Sequence, residues 1–338
     1  MRSIKPRALA ALLLPLALLT GCSGDGDDGG NDEGDGRNAG ATRVFAADNG
    51  DITIPEDPQR VIATGYAVPV LIEADAALVG VSSWERGRPL MTEEDRATYD
   101  ALPRIAGENA AETNYEAIAE QDPDLIVIGV PAPVLGDVDV ERLESIAPVV
   151  AIGPTVPSAW RELSERQADA AGRLDRFEEA RTAYEERAAE LTERYADALA
   201  GLDFGHVGSY GDAAAGTFMR EYAGAWGTNI AGDIGVSYPG EPADPGEGGQ
   251  SVSEYPSIEE LPESLGDADV ITYSVGPDGT PGEAVSYVLD SELWQNLPAV
   301  RAGRAFPVRY TEAATYASAL RTLDALDEAL APLLEEER

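Results

Sequence analysis

Residues 173–201 read RLDRFEEARTAYEERAAELTERYADALAG, and no other stretch constrains the architecture as tightly. Between Ser158 and Ala200 there is no proline and a single glycine, Gly172, so the backbone can run helical on both sides of it. Beyond Gly172, the residues Leu174, Phe177, Tyr184, Ala188, Leu191, Tyr195 and Leu199 recur at steps that fit a 3.6-residue period. A helix of about 26 residues rises about 39 Å. That length can carry the chain from one compact body to another.

The flanks on each side of this helix have a different texture. Before it, Arg43–Phe45 and Asp51–Ile54 are separated by Asp48-Asn49-Gly50, which predicts a hairpin. Short apolar strands follow at Arg60–Ala63, Leu78–Val81, Pro123–Gly129 and Val149–Ile152. Helical segments at Val68–Ala76, Asn114–Glu120 and Leu143–Ala147 alternate with them. After it come strands at His206–Tyr210, Thr217–Met219, Asp269–Val275 and Ala305–Val308, then a terminal helical region at Thr311–Glu335. Residues 238–250, YPGEPADPGEGGQ, predict a loop. Apolar strands in alternation with helices imply parallel sheets covered by helices. The expected fold is α/β: an N-terminal lobe over 42–172, a connecting helix over 173–201 and a C-terminal lobe over 202–338, with a ligand cleft between the lobes.

Composition removes several functions. The chain has 62 acidic and 24 basic residues, a formal net charge of −38, so no nucleic-acid partner is expected. Lys5 is the sole lysine, His206 the sole histidine and Cys22 the sole cysteine. A His-rich metal site, a cysteine cluster and a lysine-based phosphate cradle are therefore unavailable. The body carries no G-x-S-x-G and no G-x-G-x-x-G. Neither catalysis, nor a cofactor, nor a protein-bound metal is expected. A histidine at the start of a strand is read as packed or hydrogen-bonded, and Met91 and Met219 as packing residues.

The N-terminus reads as an address. Arg2, Lys5 and Arg7 precede an apolar run from Ala8 to Leu19, which describes a secretory signal over 1–21 and is short for a membrane span. The run ends in Leu19-Thr20-Gly21-Cys22, which resembles a bacterial lipobox. Cys22 is then the lipidation site, and the mature protein sits on the outer face of the cytoplasmic membrane. Residues 22–41 are nearly free of apolar side chains and rich in Gly and Asp, so they are expected to form a disordered acidic tether.

Seven segments carry a family resemblance: PEDPQRVIA (55–63), ADAALVGVSSW (74–84), LPRIAG (102–107), NYEAIAEQDPDLIVIG (114–129), LESIAPVV (143–150), SIEELP (257–262) and LWQNLPAVRAGRAFPV (293–308). In that order and spacing, over roughly 55–335, the chain resembles the iron-siderophore and cobalamin class of ABC-importer binding proteins. The resemblance implies two lobes on a rigid helix, an iron(III)–siderophore in the cleft, ABC permease subunits as partners and a monomeric binding protein. Cobalamin or haem is the alternative ligand in the same class. It also implies one acidic residue on each lobe that meets arginines of the permease: Glu116, and Glu259 with Glu260 as its neighbour and rival.

Ligands in such folds sit where loops converge at the carboxyl ends of strands. Tyr66, Trp84, Arg86 and Arg88 follow first-lobe strands. Tyr210, Arg220, Trp226, Arg309 and Tyr310 follow second-lobe strands, with Trp226 expected to open a helix. Rings would supply contact area and guanidinium forks would bond chelate oxygens. So few basic residues point to a hydroxamate siderophore rather than a triply anionic catecholate.

Overall fold

A computed structural model of the chain describes residues 40–246 and 248–336. The signal segment, Cys22 and the acidic tether up to Ala39 lie outside the described residues. Among the described residues no helix is long and apolar enough to cross a membrane.

The described chain opens with the hairpin of β1 (Thr42–Ala47) and β2 (Gly50–Pro55). Its turn residues explain where it goes. Asn49 donates to the Val149 carbonyl at 3.0 Å and accepts from the Ala151 N–H at 2.9 Å, while Asp48 accepts from the Gly153 N–H at 3.1 Å. The turn therefore covers the outer strand of the first sheet, whose edge would otherwise present unpaired backbone groups.

That sheet contains β3 (Val61–Gly65), β4 (Leu78–Ser82), β5 (Arg104–Ala106), β6 (Leu125–Gly129) and β7 (Val149–Ala151). All neighbours are parallel, in the order β5-β4-β3-β6-β7. The run LIVIG of β6 is buried throughout, as a central strand covered on both faces must be. The order reverses direction between β3 and β6, and Tyr66 leaves β3 at that point. There the Tyr66 N–H donates to the Gly129 carbonyl at 2.8 Å. Gly65 has φ +59°, a conformation that an L side chain resists.

The second sheet contains β8 (Phe204–Val207), β9 (Arg220–Glu221), β10 (Ser253–Glu254), β11 (Val270–Val275) and β12 (Ala305–Arg309). Its order is β10-β9-β8-β11-β12. The strands β8, β11 and β12 are parallel, and β9 runs antiparallel to β8 and β10. Two strands lie away from their expected places. β8 begins two residues before His206, and the strand expected at 217–219 forms at Arg220–Glu221.

Gly172, at φ +67°, separates the helix Trp160–Ala170 from the connecting helix Leu174–Tyr195. The latter has 22 residues, about 33 Å at 1.5 Å per residue, shorter than the sequence suggests. It is no bare rod. Phe177, Tyr184, Ala188, Leu191 and Tyr195 are buried in one cluster with Leu323, Leu326 and Leu330 of the terminal helix Tyr316–Leu330. Leu174, expected on that face, is 38 % exposed because it lies in the first turn, before the partner helix is reached. On the polar side, Arg187 and Arg194 both bond Asp327 at 2.9 Å, and the Tyr195 hydroxyl donates to the same residue at 2.8 Å. Helix and second lobe are thus one packed piece. Both lobes belong to a single compact unit from Gly40 onward.

Candidate ligand cleft

Five of the nine residues expected at the ligand converge on one cleft. Tyr66 and Trp84 come from loops after β3 and β4, Arg86 two residues further, Tyr210 from the loop after β8 and Trp226 from the loop after β9. The space between them, counted to its open mouth, is about 630 Å³. The Tyr66 and Trp226 rings face each other in parallel, with centroids 6.0 Å apart, one from each lobe. Trp84 meets Tyr66 edge-on at 4.9 Å. Trp84 is itself fixed from behind: its backbone N–H donates to the buried Tyr99 hydroxyl at 2.6 Å, and Gly87 leaves no room for a Cβ against its indole. Trp226 does not open a helix. The next helix is Asn229–Asp233, and Trp226 stands in the preceding loop.

The arginines divide. Arg86 lies over the Trp84 ring at 4.3 Å and the Tyr66 ring at 4.9 Å, and its Nε is 3.7 Å from Glu108. The other three do not join it. Arg88 is drawn outward by a two-point bond with Asp100, at 3.0 and 2.6 Å. Arg309 pairs with Glu328 of the terminal helix. Arg220 belongs to β9 itself, so its side chain follows strand alternation onto the far face, against Gly205, Leu265 and Ala268. There it lines a separate hollow with Phe204, Tyr222 and Glu254. Tyr310, at φ +61°, lines a pocket adjoining the cleft that shares Arg86, Leu90 and Glu312 with it, and its ring is covered by Arg321 at 4.1 Å.

One central residue went unread in the sequence. Glu312, three residues after β12, accepts the Tyr210 hydroxyl proton at 2.9 Å inside the cleft. A carboxylate among 62 acids carries no signal of its own; its place after the last strand was the available clue. Burial raises the pKa of both cleft phenols; at both, Glu312 adds to it and Arg86 opposes it. Tyr66 and Tyr210 therefore stay protonated at neutral pH and act as donors and apolar walls.

Under the second-lobe loops lies a buried polar pair. His206 Nδ1 meets Thr272 at 2.8 Å, and Nε2 meets Ser274 at 3.1 Å and Glu221 at 3.4 Å. Both ring nitrogens are thus engaged, and the residue is wholly buried. The Gly227 N–H donates to Glu221 at 2.9 Å, tying the Trp226 loop to the pair. Burial first, then Arg220, pushes His206 down to about 3. Burial pushes Glu221 up to about 8, with Gly227 acting against it.

The folded pair then holds one proton from about pH 3 to about pH 8. In the unfolded chain, with ordinary values of 6.5 and 4.5, it holds two below 4.5 and none above 6.5. The stability it contributes is greatest between those two values, and is lost on acidification below 4.5 and as pH rises from 6.5 to 8. Glu73, whose carboxylate accepts the Ala317 N–H, is likewise pushed up by burial, to about 7, and adds to the loss between 4.5 and 7. Thermal unfolding of Glu221→Gln is expected to show a flatter decline in Tm than the parent between pH 7 and 8.5. Parallel curves would refute the assignment.

Glu116 and Glu259 are exposed on different lobes. Glu116 lies in the first turn of the helix Tyr115–Glu120, capped by Asn114, whose side chain accepts from the Ala117 N–H at 3.1 Å. Glu260 closes a capping box, accepting from the Ser257 N–H at 2.9 Å. The Glu259 carboxylate makes no hydrogen bond or ion pair with a described residue. Among the described residues no group of three His, Cys, Asp or Glu side chains could hold a metal ion.

Two α/β sheets that turn their carboxyl-end loops toward one aromatic cleft define a bilobal ligand-binding protein. Residues 63–309 match the model of the periplasmic binding protein family, and the chain belongs to that family. It is a family of extracytoplasmic binding proteins rather than an enzyme class. The chain is 34 % identical to the siderophore periplasmic binding protein from the fuscachelin gene cluster of Thermobifida fusca, covering 84 % of this chain and 98 % of that one with a TM-score of 0.67. It is 24 % identical over 297 residues to the iron(3+)-hydroxamate-binding protein YxeB of Bacillus subtilis (strain 168), covering 87 % of this chain and 86 % of YxeB. The fold is shared with Staphylococcus aureus SirA complexed with staphyloferrin B, at 22 % identity and a TM-score of 0.65 over 86 % of this chain and 99 % of SirA.

Proposed function

We propose that this chain is the extracytoplasmic substrate-binding component of an ABC importer, which captures an iron(III)–siderophore of hydroxamate type and delivers it to the permease. The carrying observation is the cleft lined by Tyr66, Trp84, Tyr210 and Trp226 from the two lobes, with Arg86 among them. A ferric hydroxamate is bulky and largely apolar, with oxygen acceptors at its metal core. Ring faces supply the contact area, and the Arg86 fork supplies the donors. The chemistry asked of the protein is binding and release, with iron held by the chelator. The relatives named above, one a siderophore and one a hydroxamate binder, support this reading. A haem ligand would require an axial donor: His206, with both nitrogens engaged and no exposed surface, is not placed to be one, and a haem would have to take a cleft tyrosinate from Tyr66 or Tyr210 instead. Titration of the purified chain with a ferric trihydroxamate should quench tryptophan fluorescence saturably at one equivalent. No response, or protein purified with a Soret or corrin absorbance band, would overturn the reading.

Cys22 is the proposed lipid anchor on the outer face of the cytoplasmic membrane, with the acidic segment as tether to a monomeric body. Handover is proposed to use Glu116 and Glu259 as two carboxylates at fixed separation for basic pockets of the permease. The engagement of Glu260 in its own cap favours Glu259. The double charge reversal Glu116→Lys, Glu259→Lys should leave ferric-chelate affinity within about twofold and cut uptake at least tenfold, since two like-charge contacts replace two attractive ones. Unimpaired uptake by this variant would exclude these residues from docking.

A further inference from the structure

The charges of the cleft say what kind of ferric complex it admits. It holds one guanidinium, that of Arg86, which lies on the Trp84 and Tyr66 faces with its Nε 3.7 Å from Glu108. Glu312 stands opposite, half-buried, and its carboxylate receives only the neutral Tyr210 hydroxyl. No arginine among the described residues pairs with it. Arg309, on the strand that precedes it, pairs with Glu328, and Arg321 donates to the Leu90 and Met91 carbonyls at 2.8 Å each. The field of Glu312 reaches both cleft phenols, raising Tyr66 and Tyr210. Beside this carboxylate stands the Trp226 ring, which, unlike Tyr66 and Trp84, carries no guanidinium on its face among the described residues and can attract a cation for the same electrostatic reason.

We infer that Glu312 selects ferric trihydroxamates bearing a free cationic arm, an ammonium or guanidinium, over neutral and anionic ferric chelates. This rests on the siderophore reading above and narrows it. Three hydroxamates neutralise iron(III), so such a complex presents a neutral core to the rings and Arg86 and one positive charge to Glu312. A tris-catecholate carries three negative charges and would meet the carboxylates of Glu312 and Asp95 with one arginine to offset them.

The test uses the full chain and three chelates, at about 150 mM salt so that long-range attraction to the acidic surface is screened. They are a linear ferric trihydroxamate with a terminal amine, the same molecule N-acetylated, and a ferric tris-catecholate, each titrated by calorimetry. The amine form is expected to bind at least about tenfold more tightly than the acetylated form, the scale of one hydrogen-bonded charge pair, and the catecholate more weakly than either. In Glu312→Gln the ratio of amine to acetylated affinity should fall to within about threefold. Equal affinities for the two hydroxamates in the parent, or an unchanged ratio in Glu312→Gln, would overturn the inference and leave the siderophore reading standing. Failure of all three chelates to bind would overturn both. The parent comparison needs no substitution, so a poorly folded variant does not remove the test.

Discussion

Replacing Trp226 with Ala is expected to weaken ferric-chelate binding at least about thirtyfold. Trp226 is the second lobe's main contribution of contact area, and it faces Tyr66 of the first lobe in parallel at 6.0 Å. That spacing is below the roughly 7 Å that two carbon contacts would need, so a chelate in the cleft lies against the rings rather than between them, and Trp226 is the second lobe's face on it. Truncation removes that face and leaves the chelate in contact with water. Aromatic anchors near the centre of an interface characteristically cost more than 2 kcal/mol on truncation, which is more than an order of magnitude in affinity. The Trp226 loop is also held through the Gly227 N–H to Glu221, so the backbone should keep its course in the variant. Trp226→Phe should retain binding within about tenfold, because a smaller ring still faces the chelate. Calorimetry reads both affinities, and circular dichroism checks the fold. Parental affinity in Trp226→Ala would place the ligand elsewhere.

The second large effect concerns the joint between the lobes. Trp160 is wholly buried at the head of the helix before Gly172. Its ring meets Tyr316 of the terminal helix edge-on at 4.8 Å and Tyr184 of the connecting helix at 6.1 Å. Its indole N–H donates to Asn229 of the second lobe at 2.9 Å. Three helices and the second lobe therefore share one side chain. Trp160→Ala should destabilise the protein by about 3–5 kcal/mol, from lost burial together with the cavity it leaves. Trp160→Phe keeps most of the volume and loses the hydrogen bond, so a cost of about 1–3 kcal/mol is expected for orphaning a buried acceptor. The Arg161 guanidinium, also 3.1 Å from the Asn229 oxygen, should hold that cost toward the lower end. Denaturant unfolding of the two variants measures both. A loss below 1 kcal/mol in the Ala variant would mean that the joint is carried by other contacts.

The fold was largely legible because it is written in long signals. Gly172 between two proline-free runs gave the helix break, and Leu125–Gly129 could be nothing but a buried strand. Short elements were less visible. β9 has two residues, and its place is set by pairing with β8 rather than by its own composition. That difference put Arg220 inside a strand and turned it to the far face. The aromatic half of the site was legible because large rings after strand ends have few other uses. The arginine half was not: each guanidinium goes to whichever carboxylate the fold brings near, Asp100 for Arg88 and Glu328 for Arg309, and those meetings are tertiary. Glu312 was hidden for the same reason, since its isolation from arginines exists only once the loops are in place.

Iron itself offers the most direct measurement of where the ligand is held. A crystal of the chain with a ferric trihydroxamate, measured at the iron absorption edge, yields a single anomalous peak at the metal. The account predicts that peak in the cleft between the lobes, with the chelate in contact with Tyr66, Trp84 and Trp226 and with Arg86. A peak in the second-lobe hollow beside Arg220 and Tyr222, or on the outer surface, would contradict it.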